Sequence, residues 1–361
     1  MRQTGIAQLP LHGGKAPVWL FQRMVRLGRE ITRLIIENDG PQAFLQRIAD
    51  PYWLQSLGCV LGFDWHSSGV TTTVCGTLKE GLKGREKELG LIIAGGKGAT
   101  SRKTPGEITA AGEKYPLDCS ADALVYLSRL TAKIDNNAIQ DGFQLYHHSF
   151  FFTFNGSWAV VQQGMNERFA RRYHWFSEGL RTMTLEQHTA ICSNLQKERA
   201  LNLVALESQP AQSMITDLSH ERPEKLIGEI QRLQTLSLPS HHHVSVSDIH
   251  PKSIEKILLK TYERKVTNFE ELLSMPGVGA KTLRALTLIA DLAFGTAASW
   301  KDPVKFSFAH GGKDGHPYPV DCKLYDDSVE FLRCTLERAR IEQHEKENAL
   351  KRLQRLFASE N

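Results

Sequence analysis

The residues best suited to chemistry sit in the run Phe63-Asp64-Trp65-His66-Ser67-Ser68-Gly69. Asp64 supplies a carboxylate and His66 an imidazole, two residues apart, where the apolar stretch Leu57–Asp64 (LGCVLGFD) ends. Strand ends in α/β sheets are where ligands and metals gather. Asp141, His147 and His148 follow near or on an aromatic-rich run. Asp64, His66, Asp141 and His147 together could hold Mg²⁺ or Mn²⁺, or pair a base with a metal ligand for phosphodiester hydrolysis. Along a strand His147 and His148 point to opposite faces, so at most one joins a given site. The competing reading is structural: an aspartate bonded to nearby backbone and a half-buried histidine.

A second constellation is built for anions. Residues 268–294 read NFEELLSMPGVGAKTLRALTLIADLAF. Phe269, Leu272 and Leu273 mark one short helix, and Leu283, Leu286, Ile289 and Leu292 mark another. Between them Pro276-Gly277-Val278-Gly279 forms a tight turn, where glycine permits positive φ. The free amides of such a turn and of the helix start at Lys281-Thr282 can hold a phosphate, reinforced by the lysine. This string resembles the helix-hairpin-helix module of DNA repair glycosylases, structure-specific nucleases and ligases. The resemblance implies DNA-backbone contacts by Gly277, Val278, Gly279, Lys281 and Thr282, without sequence readout. It also implies an alternative chemistry. In glycosylases a catalytic lysine can stand at the position of Lys281, with an aspartate beyond an AFG string. Ala293-Phe294-Gly295 is present here, and Asp321 is the matching carboxylate, but Thr296–Pro319 intervenes.

Further cations are candidates for the same ligand. HGGK occurs at His12–Lys15 and His310–Lys313, and AGGK at Ala94–Lys97, so Lys15, Lys97 and Lys313 could close anion nests. None matches a Walker loop, which excludes an ATPase of that class. Met165–Arg181 interleaves Arg168, Arg171, Arg172 and Arg181 with four aromatic residues, a mixture suited to a groove that tracks phosphates and stacks bases. Arg23, Arg26, Arg29 and Arg33 form a stripe beside the apolar row Leu20, Met24, Leu27, Ile31 and Leu34, giving either a solvated face or a row of phosphate contacts.

The elements that must position these groups follow from patterning. A helix begins near Pro17. Leu57–Asp64, Gly69–Cys75 and Leu89–Ala94 read as strands, the second because it is rich in β-branched residues. Ala121–Lys133 reads as a helix. Phe143–Phe154 and Trp158–Gln163 form a hairpin around Asn155-Gly156. From Leu185 on the pattern is helical: Leu185–Glu207, a helix carrying Leu226 and Ile230, a His-containing linker at Leu238–Val246, a helix at Ile254–Leu258, and a charged final helix over Glu330–Phe357. The fold class expected is α+β. Residues 1–183 would be a mixed α/β domain with a partly antiparallel sheet, 184–250 a helical connector, and 251–361 an all-α domain containing the hairpin.

The 361 residues, 41% hydrophobic and 23% charged, describe a globular chain of two or three domains and exclude disordered, collagen-like and rod classes. A net charge of +4 permits a nucleic-acid partner without requiring one. Six cysteines without a CxxC pair argue against a zinc ribbon and for reduced core thiols. No apolar run is long enough to span a bilayer, and the start lacks a signal core, so a cytoplasmic location is expected.

Three strings, TGIAQLPLHGGKAP, GFDWHSSGVTTTV and KFSFAHGGKDGHPYPVD, extend the resemblance to both ends of the chain. They are similar to a prokaryotic family defined only as a domain of unknown function (number 763), which implies no particular activity. The leading expectation from the residues is a DNA-processing protein of repair or recombination, a metal-dependent nuclease holding DNA through the hairpin. A glycosylase/lyase using Lys281 and Asp321 is the alternative, and a non-catalytic DNA scaffold the third.

Overall fold

The computed structural model describes residues 16–63, 68–193, 199–235, 249–304, 322–339 and 341–358. The fold is α+β, and its spine is a five-stranded sheet in the order β1-β3-β4-β5-β6. These strands are β1 (Leu91–Lys97), β3 (Gln144–Thr153), β4 (Trp158–Met165), β5 (Ala170–Phe176) and β6 (Ala190–Cys192). Every pairing is antiparallel, more uniformly than the sequence suggests. The expected hairpin joins β3 to β4, with Gly156 in the left-handed region its turn requires. β2 (Ile139–Gln140) and β7 (Leu201–Asn202) form a separate small ladder.

Two of the expected strands are helices. After α1 (Val18–Ala49), which kinks at Gly40-Pro41, come α2 (Pro51–Leu61) and α3 (Gly69–Leu82). Asp50 caps α2 by accepting from the Tyr52 and Trp53 amides at 2.7 and 3.3 Å, and Pro51 occupies the first turn. Because α2 is enclosed on nearly all sides, its sequence is a continuous apolar run that periodicity cannot distinguish from a buried strand. In α3 the β-branched residues suggest a strand, but burial falls on Val70, Thr71, Val74, Cys75 and Leu78, the helical period. Tertiary packing overrides propensity there. Gly58 makes the α2–α3 contact possible, since a Cβ at that position would lie 2.5 Å from a methyl of Val70.

The helices sandwich the sheet. A short α4 (Glu86–Leu89) leads into β1, and α5 (Thr104–Lys114) and α6 (Ala121–Lys133) follow it. Met24, Leu27, Ile31, Leu57 and Val74 from α1–α3 pack on Leu91, Ile93, Phe151, Ala159 and Val161 of one sheet face. On the other face Ile92, Phe150, Phe152, Val160 and Trp175 meet Ile108 of α5 and Leu124 of α6. The same core takes in α7 (Gln209–Leu218), α8 (Pro223–Thr235), α9 (Pro251–Arg264), α10 (Phe269–Ser274) and α11 (Ala280–Phe294).

Where a helix Leu185–Glu207 is expected, the described residues form β6, β7 and irregular chain. Ala190, Ile191 and Cys192 are fully buried because they complete the sheet beside β5. The expected final helix is two, α12 (Cys322–Arg338) and α13 (Gln343–Ala358). Leu332, Leu336, Ala349 and Leu353 pack into the α1–α3 core, so neither core cluster divides the chain at 183 or 250. Among the described residues no helix is long and apolar enough to cross a membrane.

Candidate functional site

The hairpin forms as its sequence dictates. Asn268 caps α10 by accepting from the Glu271 amide at 2.9 Å. Met275 leaves the helix, and the Val278 amide closes back onto the Met275 carbonyl at 3.2 Å. Pro276 and Gly277 stand exposed, while Val278 turns inward to the core. Gly277 takes φ +95°, and a Cβ there would sit 3.4 Å from Ile257 of α9. Gly279 precedes α11 and offers no side-chain cap. The amides of Gly279, Ala280, Lys281 and Thr282 find no acceptor among the described residues. Lys281 is exposed beside them and Thr282 is buried. The result is a row of free donors and one cation at the start of a fifteen-residue helix.

Of the expected Asp/His set, Asp141 and His147 lie on opposite faces of the sheet. Asp64 and His66 lie outside the described residues. At Ser68, where the described chain resumes, the carbonyl accepts from Gln163 Nε2 at 2.9 Å, and the same amide reaches the Tyr146 hydroxyl. His147 faces α1–α3, where its Nε2 meets Ser149 Oγ at 3.1 Å. Asp141 lies on the opposite face. Its Oδ2 accepts from Tyr173 at 2.7 Å and from Arg171 at 2.8 Å, and its Oδ1 accepts from the Phe143 amide at 3.0 Å. Asp141 and His147 therefore do not converge on one ligand. Burial, with His148, Lys97 and Arg172 adding repulsion, lowers the His147 pKa to about 3, and burial lowers that of His148 to about 4. Both are neutral imidazoles.

The arginine-aromatic segment is a sheet strand, not a groove. Arg171 and Arg172 are completely withdrawn from solvent, so neither guanidinium reaches a DNA phosphate. Arg171 forks onto Asp302 at 2.8 Å through two nitrogens while also holding Asp141. Arg172 donates to Gln55 at 2.8 Å on the other face, beside the thiols of Cys75 and Cys192. Burial pushes both thiols up to about 12, which removes them from nucleophilic chemistry. Arg168 alone of the three stays exposed, in the β4–β5 turn.

The glycine-lysine loop at Ala94–Lys97 is not an open nest. Lys15 and Lys313 lie outside the described residues, as does Asp321. Lys97 is exposed, 5.9 Å from the Tyr146 ring centre. At Gly95 the amide already donates to Glu107 at 2.7 Å, and Lys79 bridges Glu107 and the Gly95 carbonyl at 2.7 and 2.8 Å. An internal carboxylate takes the place a phosphate would need. The α1 arginine stripe is likewise engaged. Arg26 reaches Glu345 of α13 at 2.9 Å, and Arg33 pairs with Glu30 and Glu37 at 3.1 and 2.5 Å.

Sequence reasoning overlooked a polar network beneath the sheet. A single π-type turn, Ile134–Ala138, follows α6 and places Asp135 in the interior. Asp135 accepts from Trp175 Nε1 at 2.9 Å and Gln162 Nε2 at 2.6 Å, and it pairs with His188. Gln162 then meets His148, which meets Ser128 at 2.8 Å. Burial raises the Asp135 pKa, and His188 opposes that rise. Such π-bulges recur at functional sites, but nothing in the local sequence IDNNA announces one. Among the described residues no three His, Cys, Asp or Glu side chains gather to hold a metal ion.

Neither a search of curated proteins nor one of solved structures found a match. One family model matches residues 5–320, most of the chain and every element from α1 to α11. The chain therefore belongs to the family described as "Protein of unknown function (DUF763)".

Proposed function

We propose that this protein binds the DNA backbone through the hairpin Pro276–Lys281 and processes the DNA held there. The supporting observation is the set of unpartnered amides from Gly279 to Thr282 beside exposed Lys281. A helix N-terminus with free donors and a lysine favours a phosphate, and contacts of this kind carry no base information. The reaction we assign is phosphodiester hydrolysis assisted by Mg²⁺ or Mn²⁺, with Asp64 and His66 as the metal-binding pair. Its support is the carboxylate–imidazole pairing in the sequence, together with the anchoring of the following residue, Ser68, to the sheet by Gln163, which also reaches Tyr146.

The test uses labelled single-stranded, duplex, flap and abasic DNA with Mn²⁺ or with chelator. Lys281→Glu should weaken binding about tenfold for every sequence, and wild-type binding should fall steeply with salt. A folded Lys281→Glu protein with unchanged affinity removes the hairpin from the interface. Asp64→Asn should abolish cutting and leave affinity intact. Cutting that persists in chelator, with a borohydride-trapped adduct lost in Lys281→Arg, would replace hydrolysis by lyase chemistry at Lys281 and Asp321.

A further inference from the structure

A second set of helix donors lies on the sheet face that α1–α3 cover. The first turn of α3 is tied down through one side chain of β4. The Ser68 carbonyl accepts from Gln163 Nε2 at 2.9 Å, and the Thr71 hydroxyl donates to Gln163 Oε1. Ser68 precedes the helix without a side-chain cap, and the amides of Val70 and Thr71 find no acceptor among the described residues. The helix that follows has fourteen residues, so aligned peptide dipoles make this end positive.

Beneath that turn one row of residues crosses the sheet. Lys97 of β1 pairs with His147 of β3, His147 with Gln163 of β4, and Gln163 with Arg172 of β5. Residues directly opposite in an antiparallel sheet share a face, so the row runs under the start of α3. It passes from solvent to core: Lys97 is exposed, His147 is 1% exposed and Arg172 is fully buried. His147 Nε2 meets Ser149 Oγ, and His147 Nδ1 has no hydrogen-bond partner among the described residues. A Ser149 hydroxyl that donates to Nε2 leaves the ring proton on Nδ1 as a free donor. A register shift between Leu145 and His147 brings Tyr146 to the same face, where its hydroxyl accepts from Gln163 and its ring lies 5.9 Å from Lys97 Nζ.

Free helix amides, a lysine and a buried imidazole donor are the parts of an oxyanion site. We propose that the α3 N-terminus, Lys97 and His147 Nδ1 form a phosphate seat, and that it takes the terminal phosphate of a DNA end. The reason for an end is reach. The floor of the seat, Thr71 and His147, is buried, whereas Tyr146 at its rim is half-buried and Lys97 is exposed. A backbone phosphodiester carries a sugar on each side. A terminal phosphate carries only one, and its charge of roughly two gains more from the dipole and from Lys97. The proposal rests on the DNA-binding reading above and gives that DNA a second anchor, on the sheet face opposite the one that meets α10 and α11.

The test measures the affinity of the full-length protein for one duplex prepared with 5′-phosphoryl, 3′-phosphoryl or hydroxyl ends. Wild type should favour at least one phosphorylated end about tenfold over hydroxyl ends, the scale of one charge-assisted hydrogen bond. Lys97→Gln and a folded His147→Leu should remove that preference. Lys281→Glu should weaken all three duplexes alike and preserve it. Inorganic phosphate, exchanged against chloride at equal ionic strength, gives a second reading. It should raise the Tm of Lys281→Glu, in which the hairpin no longer competes for it, and adding Lys97→Gln should abolish that rise. Lys97 is exposed, so its variant decides the matter where His147→Leu does not fold. DNA binding without any end preference overturns the proposal and leaves the DNA reading in place, as does a preference that survives in Lys97→Gln. A phosphate-dependent Tm that Lys97→Gln abolishes, in a protein that binds no DNA, keeps the seat and overturns the DNA reading instead.

Discussion

The two faces of the sheet bury charge in different ways. Toward α5–α11, acidic hubs are matched by donors: Asp141 and Asp302 share Arg171, and Asp135 gathers His188, Trp175 and Gln162. Toward α1–α3 the interior is basic and sulfurous, with His147, His174 and Arg172 set among Cys75, Cys192, Ser149 and Gln55. His147 Nδ1 and His174 Nε2 have no hydrogen-bond partner among the described residues. The first face resembles a fixed structural frame, because removing any member strands another. The second keeps imidazoles neutral with spare nitrogen lone pairs or protons. It also holds Ser68, whose carbonyl accepts from Gln163.

Acid should act most strongly on the buried imidazoles, His147 and His174 toward α1–α3 and His148 toward α6. Burial lowers the pKa of His147 to about 3 and of His148 to about 4, and holds that of His174 well below its ordinary value. A folded pKa depressed below the unfolded value near 6.5 gives stability that is complete above 6.5 and lost as pH falls. Near pH 5 three extra protons bind the unfolded chain, a slope of at most about 4 kcal/mol per pH unit. The Asp135 and Asp50 carboxyls, raised by burial, take protons in the fold and subtract from that slope. Urea melts from pH 7 to 5 should show the decline, and His147→Gln should lessen it by about one proton. A decline that His147→Gln leaves unchanged would mean that the His147 imidazole is already charged in the fold.

The next effect belongs to the acidic face. Arg171→Met leaves Asp141 and Asp302 buried without their shared guanidinium and should cost about 3–5 kcal/mol in chemical denaturation. A cost below about 1 kcal/mol would show that water reaches those carboxylates. Gly58→Ala is smaller. Its methyl must displace Val70 across the α2–α3 contact, an overpacking cost of about 1–3 kcal/mol. The smallest change should come from Arg168→Ala, within about 0.5 kcal/mol, because that side chain is exposed in a turn. Together with Arg171→Met it separates two arginines that look alike in sequence.

What the sequence revealed follows from where constraint is local. Asn155-Gly156 announces the β3–β4 hairpin and Pro276–Gly279 the α10–α11 turn, because each turn demands particular residues at particular φ. The helix Ala121–Lys133 is amphipathic and was legible throughout. In α2 and α3 the helical period is hidden, in one case by apolar residues on every side and in the other by β-branched ones. The fate of Arg171 and Arg172 was also hidden, since an arginine row reads as surface until partners distant in sequence are known. Asp302 is 131 residues from Arg171, and Gln55 is 117 from Arg172. Lys133 gave no signal at all, because its partners are main-chain carbonyls, which every residue possesses.

The return of α12 and α13 onto α1–α3 has a consequence for biosynthesis. Arg26 meets Glu345 across 319 positions, and the Arg352 guanidinium meets the Val60 carbonyl across 292. At translation rates of about 5–20 residues per second, α1–α3 emerge from the ribosome roughly 15–60 s before the helices that cover them. During that interval part of the apolar surface around Met24 and Leu57 lacks its native cover. A nascent chain in this state is a natural client for a chaperone, and slower decoding late in the message would prolong its exposure.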